Sequence, residues 1–429
     1  MTLNDRIKTV ILSNIRPPEK CLIGLEVECL FYDKDLMRIP ANPCECFSAN
    51  EFLREMEKKQ VNDSSKASFS LEPGGQLEWA SYPELTINDL HEQYEKHLRR
   101  IQEICKDYAL RLIDFAVDPL FEPELVELID QEKYRLMFEH FKSTGTHGSW
   151  MMRNTTSVQI NLDFSSLESA ERMAYIADCL EPFTALLFAH SPFMQGKPVG
   201  TKNLRYIIWN NTDDARCKNL IDHGIKNSVN LLDRYIDYIL TVPALFITDE
   251  KGNYQRFAGT FHEWFSILDQ KNELTDENIS LALHQIFTNV RFKNVLEIRG
   301  SDRPPLGFEM APATFWTGLL LSDKAQEVIF EVVNNWSITE RLKLNKTAEI
   351  LDLSQEGPRG KPLIFWLEKI IDIALIGLNE RSRILKITNE SKFLIPFVDR
   401  VLNKSLMSLQ IQNKLAESNL PIDQFLINE

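Results

Sequence analysis

A tight turn between two short strands is the strongest structural signal in this chain of 429 residues. Within residues 69–81, the Pro-Gly-Gly sequence at 73–75 fixes one φ angle and frees the next two, which predicts a chain reversal. Alternation on the returning strand places Glu78 on one face and the apolar Leu77 and Trp79 on the other. Because glutamate is seldom buried without a partner, another group must neutralise Glu78.

Three other segments show the same alternation of polar and apolar side chains. In each of them, most polar residues share one parity and most apolar residues share the other. The polar residues include Glu26 and Glu28 in segment 21–31, Gln159 and Asn161 in segment 155–164, and Arg291, Lys293, Glu297 and Arg299 in segment 289–300. If these strands lie in one sheet, the glutamates converge on its polar face.

Helical patterns surround the predicted strands. An apolar helix is expected over residues 169–189, where it would cover the apolar face of the sheet. From Ala313 nearly to the end of the chain the pattern is helical. Length alone fits two or three domains, or one large α+β domain with peripheral helices, and no linker sequence decides between them.

The polar face has the composition of a metal and phosphate site. Converging carboxylates repel one another and raise one another's pKa unless divalent cations take up the charge. Oxygen ligands suit Mg²⁺ or Mn²⁺ better than Zn²⁺. Arg291, Lys293 and Arg299 can bind metal-held phosphates, which predicts a nucleoside triphosphate as substrate. Segments 196–202 and 357–361 miss the P-loop spacing, so the metals must hold the nucleotide.

The composition of the chain limits the classes of binding partner and the cellular location that we expect for it. A net charge of -14 and a pI near 5.2 argue against nucleic acid, because its binders carry a basic face. Segment 1–15 lacks the apolar core of a signal peptide, and no apolar run approaches the ~20 residues that span a bilayer. We therefore expect a cytoplasmic protein without membrane contact. Its expected partners are small-molecule substrates, and we expect a monomer or homodimer.

Four blocks of sequence carry a resemblance to a known family. They are Ile-Gly-Leu-Glu-Val-Glu at 23–28, Leu-Glu-Pro-Gly-Gly-Gln-Leu-Glu at 71–78, Met-Met at 151–152 with Ser-Val-Gln-Ile-Asn-Leu-Asp-Phe at 157–164, and Val-Arg-Phe-Lys-Asn-Val-Leu-Glu-Ile-Arg-Gly-Ser-Asp at 290–302. With these motifs the chain resembles plant-type and proteobacterial glutamate–cysteine ligases, in the carboxylate–amine ligase branch related to glutamine synthetase. The resemblance implies one α+β domain over residues 1–429. Its curved antiparallel sheet would have a polar concave active-site face and flanking helices, with a mostly helical portion at about 313–429.

The resemblance also implies roles for individual residues. These are metal binding by Glu26, Glu28, Glu78 and Glu297, with Glu72 and Gln159 close by, ATP binding by Asn161, Arg291, Lys293 and Arg299, and substrate binding by Arg205, Arg153, Trp209 and Tyr238. Arg299 is expected to be catalytic through contact with a phosphate, and Arg205 to bind the carboxylate of the amino-acid substrate. Taken without the resemblance, Trp209 and Tyr238 are better explained as packing residues.

Two positions depart from the family pattern near the expected amino-acid pocket. After Met-Met the family has one more residue and then arginine, whereas here Arg153 comes first and Asn154 follows. We expect both on a strand, where a shift of one residue changes the face that a side chain occupies. The family's Trp-x-Asp-Thr-Asp is Trp-Asn-Asn-Thr-Asp at 209–213. These departures concern the identity of the substrates more than the chemistry.

The resemblance, together with the predicted metal and phosphate site, thus implies an ATP-dependent ligase for the first step of glutathione biosynthesis. Mg²⁺-bound ATP would phosphorylate the side-chain carboxylate of glutamate, and the amine of cysteine would attack the acyl phosphate. The nearest alternative is the same chemistry with another amine acceptor or another acid donor. Two further alternatives are a catalytically silent relative that binds only nucleotide or a protein, and a metal-dependent hydrolase that does not need ATP.

Overall fold

The alternating segments pair in one antiparallel sheet, as their shared polar faces predicted. The structure, a computed structural model, describes residues 2–60 and 66–428. Its strands are β1 (Ile23–Tyr32), β2 (Ser68–Leu71), β3 (Leu77–Ala80), β4 (Arg111–Ile113), β5 (Val158–Leu162), β6 (Phe193–Met194), β7 (Lys197–Pro198), β8 (Ile247–Thr248), β9 (Tyr254–Gln255), β10 (Val290–Phe292) and β11 (Leu296–Ile298). The main sheet has the order β10-β11-β5-β1-β3-β2, and β4 also pairs with β1. The hairpins β6-β7 and β8-β9 lie apart from it.

Helices flank the sheet and make up the C-terminal part of the chain. They are α1 (Leu3–Ile11), α2 (Ala49–Gln60), α3 (Ile87–Asp107), α4 (Glu132–Thr144), α5 (Gly148–Asn154), α6 (Leu167–Leu187), α7 (Leu204–Asn210), α8 (Leu231–Thr241), α9 (Phe261–Gln270), α10 (Asp276–Leu283), α11 (Met310–Leu320), α12 (Asp323–Asn334), α13 (Ile338–Thr347), α14 (Leu363–Leu385), α15 (Ile395–Asn403), α16 (Met407–Ser418) and α17 (Ile422–Asn428). The predicted α+β class and helical C-terminal region are therefore confirmed. Each helix in the described ranges is too short or too polar to cross a membrane.

The register of the strands decides which polar side chains meet. The opposed pairs are Glu28 with Glu78, Glu26 with Gln159, and Glu297 with Asn161. Because side chains alternate along each strand, all of these residues lie on the same face of the sheet. The predicted polar face is thus one continuous surface that crosses β11, β5, β1 and β3.

The opposite face of the sheet is fully apolar. Val27, Ile160 and Ile298 are completely buried there, in a core to which helices α6 and α11 contribute. Helix α6 begins after Ser166, whose hydroxyl accepts a hydrogen bond from a backbone amide in the first turn. Its residues 173–187 are all buried, including the acidic Asp178 and Glu181, so neighbouring elements cover every side of this part of the helix. The apolar core thus supports the sheet on the side opposite its polar face.

The turn between β2 and β3 has the predicted reversal. Gly75 adopts a left-handed φ of 80°, and its amide donates to the carbonyl oxygen of Glu72 over 2.8 Å. The guanidinium of Arg38 donates to the carbonyl oxygen of Gly74 over 2.8 Å. A Cβ atom on Gly74 would lie 2.6 Å from the Cα atom of Arg153. Only glycine therefore allows this turn to approach helix α5.

The expectation of a strand at Arg153 and Asn154 is wrong. Both residues lie at the end of helix α5, where one residue rotates a side chain by about 100° instead of reversing its face. Helix α5 packs against α4 and α7 and buries Met151 and Met152 in their shared core. Tertiary packing has decided the conformation of a segment whose local preference is weak.

We predict that Gly74→Ala lowers the free energy of unfolding by about 1–3 kcal/mol, because the added methyl group overpacks the contact between the turn and α5. Urea unfolding measures this loss. Ser68→Ala, at an exposed position of the adjacent strand β2, is the control and should stay within about 0.5 kcal/mol of the wild type. Equal stability of the two variants would contradict the close approach.

Candidate active site

The polar face of the sheet is the floor of a cleft of about 490 Å³. The charged or amide-bearing residues that line it from the sheet and its turn are Glu26, Glu28, Glu72, Gln76, Glu78, Gln159, Arg291, Lys293 and Arg299. The apolar and aromatic lining residues are Pro73, Tyr134, Met137, Met151, Met152, Trp209, Leu245, Phe246, Tyr254, Leu281 and Phe287. Most of the charge thus lies on the floor, and the walls are mostly apolar.

Three carboxylates meet on the floor. Glu28, Glu72 and Glu78 each contribute an oxygen that lies within 4.8 Å of the other two. They come from β1, from the β2–β3 turn and from β3, so strand register and turn geometry together assemble the cluster. Ser70 donates to Glu78 over 2.8 Å, and Gln159 donates to Glu28 over 3.0 Å. We call Glu28, Glu72 and Glu78 the carboxylate cluster.

Burial and repulsion within the carboxylate cluster favour its protonated forms. Removal from water and the charge of Glu78 raise the pKa of Glu28 to about 7. Removal from water and the charge of Glu28 raise the pKa of Glu72 to about 7. The pKa of Glu78 rises to about 8 through burial and the charges of Glu26 and Glu72. The cluster is therefore short of positive charge, and a divalent cation would supply it.

Glu297 has a different electrostatic environment on β11. Its fully buried carboxylate forms ion pairs with the guanidinium of Arg291, with Lys293 at 2.8 Å and with Arg299 at 3.3 Å. Burial alone would raise the pKa of Glu297, but these three cations hold that pKa well below its usual range. Glu297 is thus ionised, and cations of the protein itself neutralise it.

Amide side chains join the acidic and cationic parts of the floor. Gln159 donates to Glu28 and accepts a hydrogen bond from the guanidinium of Arg299. Asn161 donates to Glu26 over 2.9 Å. The floor is therefore one hydrogen-bonded surface that runs from the carboxylate cluster to Arg299.

Arg299 lines the cleft beside two aromatic rings. The centre of its guanidinium lies 5.6 Å from the ring centroid of Trp209 and 5.8 Å from that of Phe287. Trp209, for which the family resemblance implies substrate binding, itself lines the cleft. The structure therefore brings Trp209 and Arg299 together.

Arg205 lies behind the cleft and does not line it. Its guanidinium donates to the backbone carbonyl oxygens of Arg299 and Gly300 over 3.3 and 3.4 Å. Asp302 lies 3.7 Å from the same guanidinium, and both side chains are almost fully buried. Arg205 thus contacts the backbone that carries Arg299, the side chain of Asp302 and, at 5.7 Å from the ring centroid, the cleft-lining Trp209.

Two other predicted substrate-binding residues also lie outside the cleft. The guanidinium of Arg153 donates to the carbonyl oxygens of Pro123 and Val126 over 2.8 and 3.1 Å. The hydroxyl of Tyr238 donates to the carbonyl oxygen of Ala215 over 3.0 Å. The packing role that residue type alone suggested for Tyr238 matches this position better than substrate contact does.

Several lining residues were not predicted from the sequence. Lys133 and Tyr134 come from helix α4, and Phe246 and Tyr254 come from the chain that forms hairpin β8-β9. Periodicity identifies the face of a helix that is buried, but it does not say which sheet lies opposite. No motif in these segments gave a signal.

The arrangement suits the transfer of a phosphoryl group. An oxygen-rich cluster can hold a divalent cation, and a guanidinium next to it can stabilise negative charge that develops during transfer. Apolar walls offer few groups that hold water, and electrostatic interactions are stronger where water is excluded. Site geometry therefore agrees with the nucleotide-dependent chemistry predicted from the strand pattern.

Comparison with known proteins places these observations in a family. The family model described as glutamate-cysteine ligase family 2 matches residues 22–401. The chain is 27% identical over 410 residues to the chloroplastic glutamate–cysteine ligase A of Oryza sativa subsp. indica, covering 88% of this chain and 83% of that protein. It is 28% identical over 407 residues to the chloroplastic glutamate–cysteine ligase of Arabidopsis thaliana, covering 89% of this chain and 74% of the relative.

A solved structure shares the fold. The crystal structure of a glutamate–cysteine ligase from Francisella tularensis in complex with AMP aligns with a TM-score of 0.56. The alignment covers 95% of this chain and 86% of that one, at 13% sequence identity. At this identity the match supports the architecture alone.

The raised pKa values of the carboxylate cluster predict a specific pH dependence in protein freed of divalent cations. The folded state binds more protons than the unfolded state between about pH 4.5 and 8, so stability should fall as pH rises through this window. Glu78→Gln removes one of the repelling charges and should flatten the fall. Urea unfolding in EDTA from pH 5.5 to 8.5 measures it.

The control for this experiment is Glu92→Gln, which removes a carboxylate from the exposed side of helix α3. It should keep the pH dependence of the wild type. The same slope in Glu78→Gln and in the wild type would show that the cluster does not carry the raised pKa values.

Proposed function

Because this chain belongs to glutamate-cysteine ligase family 2, we propose that it is an ATP-dependent ligase that joins the γ-carboxylate of glutamate to the amine of cysteine. The observation that carries the proposal is the position of the carboxylate cluster beside Arg299 in one cleft. This is the combination that activation of a carboxylate by a nucleotide requires. The product would be γ-glutamylcysteine, the first intermediate of glutathione biosynthesis.

The carboxylate cluster fits the Mg²⁺ or Mn²⁺ that the chemistry needs. Its donors are carboxylate oxygens that converge to within 4.8 Å, and hard divalent cations prefer such ligands. We propose that Glu28, Glu72 and Glu78 hold the ion, with Glu26 and Gln159 next to them. When bound, the ion supplies positive charge for the triphosphate and orients it. Glu297 was predicted as a metal ligand, but its pairing with three cations supports a role in holding them.

The proposed reaction has two steps. An oxygen of the glutamate side-chain carboxylate attacks the terminal phosphorus of ATP, and ADP leaves. The amine of cysteine then attacks the carbonyl carbon of the acyl phosphate, loses a proton, and expels phosphate as the amide bond forms. Phosphorylation is needed because an ionised carboxylate is a poor electrophile.

Arg299 is the residue that we propose acts on the transferring phosphoryl group. Ion pairing with Glu297 and a hydrogen bond to Gln159 fix its guanidinium before the reaction begins. A donor fixed in this way stabilises developing negative charge without reorganising. Arg205, which donates to the backbone at Arg299 and Gly300, would position Arg299 instead of binding substrate directly.

Other sequence predictions stay predictions. They are ATP contacts by Asn161, Arg291 and Lys293, a single domain over residues 1–429, a cytoplasmic location, and a monomeric or homodimeric state. Trp209 is the one predicted substrate-binding residue that lines the cleft, and we propose that it contacts an amino-acid substrate.

A product assay tests the proposed function. The protein is incubated with ATP, Mg²⁺, glutamate and each of a panel of amino acids and amines, and ADP release and product mass are measured. We expect ADP and γ-glutamylcysteine with cysteine, and no ADP when EDTA replaces Mg²⁺. Turnover with another amine or acid would identify the alternative ligase. Failure of every acceptor would contradict a ligase function.

Replacement of the proposed phosphate-contacting arginine tests its role. Arg299→Ala should lower kcat by about 10³-fold, since arginines aimed at transferring phosphoryl groups contribute on that order. Arg291 and Lys293 remain paired with Glu297 in the variant, so we expect it to stay folded. Arg256→Ala, at an exposed position after β9, is the control and should keep normal turnover. Near-normal turnover of Arg299→Ala would refute the assignment.

A further inference from the structure

Lys133 is a cation of the cleft wall that the proposed function does not yet use. It is the second residue of helix α4, lines the cleft, and is half-buried. Its ammonium lies 4.4 Å from the ring centroid of Tyr134. Tyr134 is in turn fixed by its hydroxyl, which donates to the carbonyl oxygen of Leu71 over 2.8 Å. Helix α4 is therefore locked to the strand that precedes the Glu72 turn.

Among the residues that the structure describes, Lys133 differs from the other lysine and arginine side chains of the cleft because no carboxylate pairs with it. Arg291, Lys293 and Arg299 all pair with Glu297 at hydrogen-bonding or ion-pair distance. Within residues 2–60 and 66–428, no carboxylate oxygen lies within the 4.0 Å of an ion pair from the ammonium of Lys133. The positive charge of Lys133 acts on Glu72 from beyond that distance, where it partly offsets the rise in the pKa of Glu72. A half-buried ammonium in this position is available to an anionic group of a ligand.

The part of the cleft wall that carries Lys133 is mostly apolar and aromatic. Tyr134 and Met137 come from the same helix as Lys133, and Phe246 and Tyr254 line the cleft with them. The ring centroids of Phe246 and Tyr254 lie 5.1 Å apart. Helix α4 and strand β9 pack against each other, which brings these side chains together. The corner thus offers one positive charge next to thioether and aromatic surface, and it can accept a small anion with a short, weakly polar side chain.

We propose that Lys133 binds the α-carboxylate of the amino acid that supplies the amine, and that Met137 and Tyr254 contact the side chain of that amino acid. This inference rests on the proposed function, because it places the second amino acid of the reaction. It also divides the work between two cations of the cleft. Arg299 serves the phosphoryl group and Lys133 serves the acceptor, and Glu72 of the carboxylate cluster lies within electrostatic reach of both.

Charge matching favours an acceptor carboxylate over the triphosphate at this corner. A triphosphate carries several negative charges and needs several cations or metals, which the floor provides around Glu297 and the carboxylate cluster. One ammonium matches one carboxylate. Apolar walls also suit the side chain of an amino acid better than they suit a hydrated phosphate chain.

Kinetics of Lys133→Met test the inference, because methionine keeps much of the side-chain length and removes the charge. We expect the KM for cysteine to rise about 10- to 100-fold, as expected when a charged hydrogen bond is lost. The KM values for ATP and glutamate should change less than about 2-fold. Lys133→Arg should restore most of the affinity for cysteine.

A substrate lacking the carboxylate gives an independent readout. The wild type should prefer cysteine over 2-aminoethanethiol by at least about 10-fold in kcat/KM, and Lys133→Met should abolish most of that preference. Lys142→Met is the matched control, because Lys142 also lies over an aromatic ring of helix α4 but pairs with Glu139 on the exposed surface. It should behave like the wild type.

The outcomes separate the failure of this inference from failure of the proposed function. A selective rise of the KM for ATP would assign Lys133 to phosphate, and unchanged kinetics would make it a charge-balancing residue. Either result overturns the inference while the ligase remains. If the wild type uses another amino acid, the comparison is made with that amino acid and its decarboxylated amine. If Lys133→Met does not fold, equal use of both substrates by the wild type still refutes carboxylate recognition.

Discussion

The register of strand β1 is the constraint on which the rest of the site depends. It places Glu28 opposite Glu78, which sets two like charges side by side and costs stability. The register is fixed from the other face, where Ile23, Leu25 and Val27 are buried in the main core. A slip of one residue would exchange the two faces and expose this apolar set. Hydrophobic burial on one side of the sheet therefore imposes electrostatic repulsion on the other.

The acidic residues on the floor of the cleft lie in two different electrostatic environments. Glu297 is neutralised permanently by Arg291, Lys293 and Arg299, and its pKa is held low. The carboxylate cluster has hydrogen-bond donors but no such set of ion pairs among the described residues, and its pKa values are raised. One part of the sheet is thus internally balanced, and the neighbouring part requires a charge from a ligand. A cation or substrate that binds only the folded state therefore also stabilises the fold.

Much of the sheet follows from the sequence, because a half-buried strand shows its alternation directly. Glu28, Glu78 and Gln159 share a face as predicted, and the Pro-Gly-Gly turn reverses the chain as predicted. Alternation shows which residues share a face but not how far apart they lie. For this reason it grouped Glu297 with the other glutamates, although Arg291 and Lys293 neutralise Glu297. Glu72 was found through the family resemblance, since it lies in a turn and has no periodic pattern.

Tertiary packing decides the contacts of two arginines for which the resemblance implies substrate binding. Arg153 lies on a helix and donates to carbonyl groups of a distant loop, and Arg205 supports the backbone at Arg299. Residue type shows that an arginine can bind a carboxylate, but backbone carbonyls compete for the same guanidinium donors. The sequence did not indicate Lys133, because nothing in the pattern of helix α4 shows that this helix packs beside the cleft.

The hydrogen bond from Tyr134 to the carbonyl of Leu71 has a consequence for how such enzymes can diversify. It fastens helix α4 to the sheet through the backbone of β2, so side chains of α4 can vary without moving the strands. The charged floor on the sheet and the wall on helix α4 can then change independently. With the acceptor bound at Lys133 as proposed above, substitutions at the cleft-facing positions of helix α4 would change the acceptor and leave the charged floor intact.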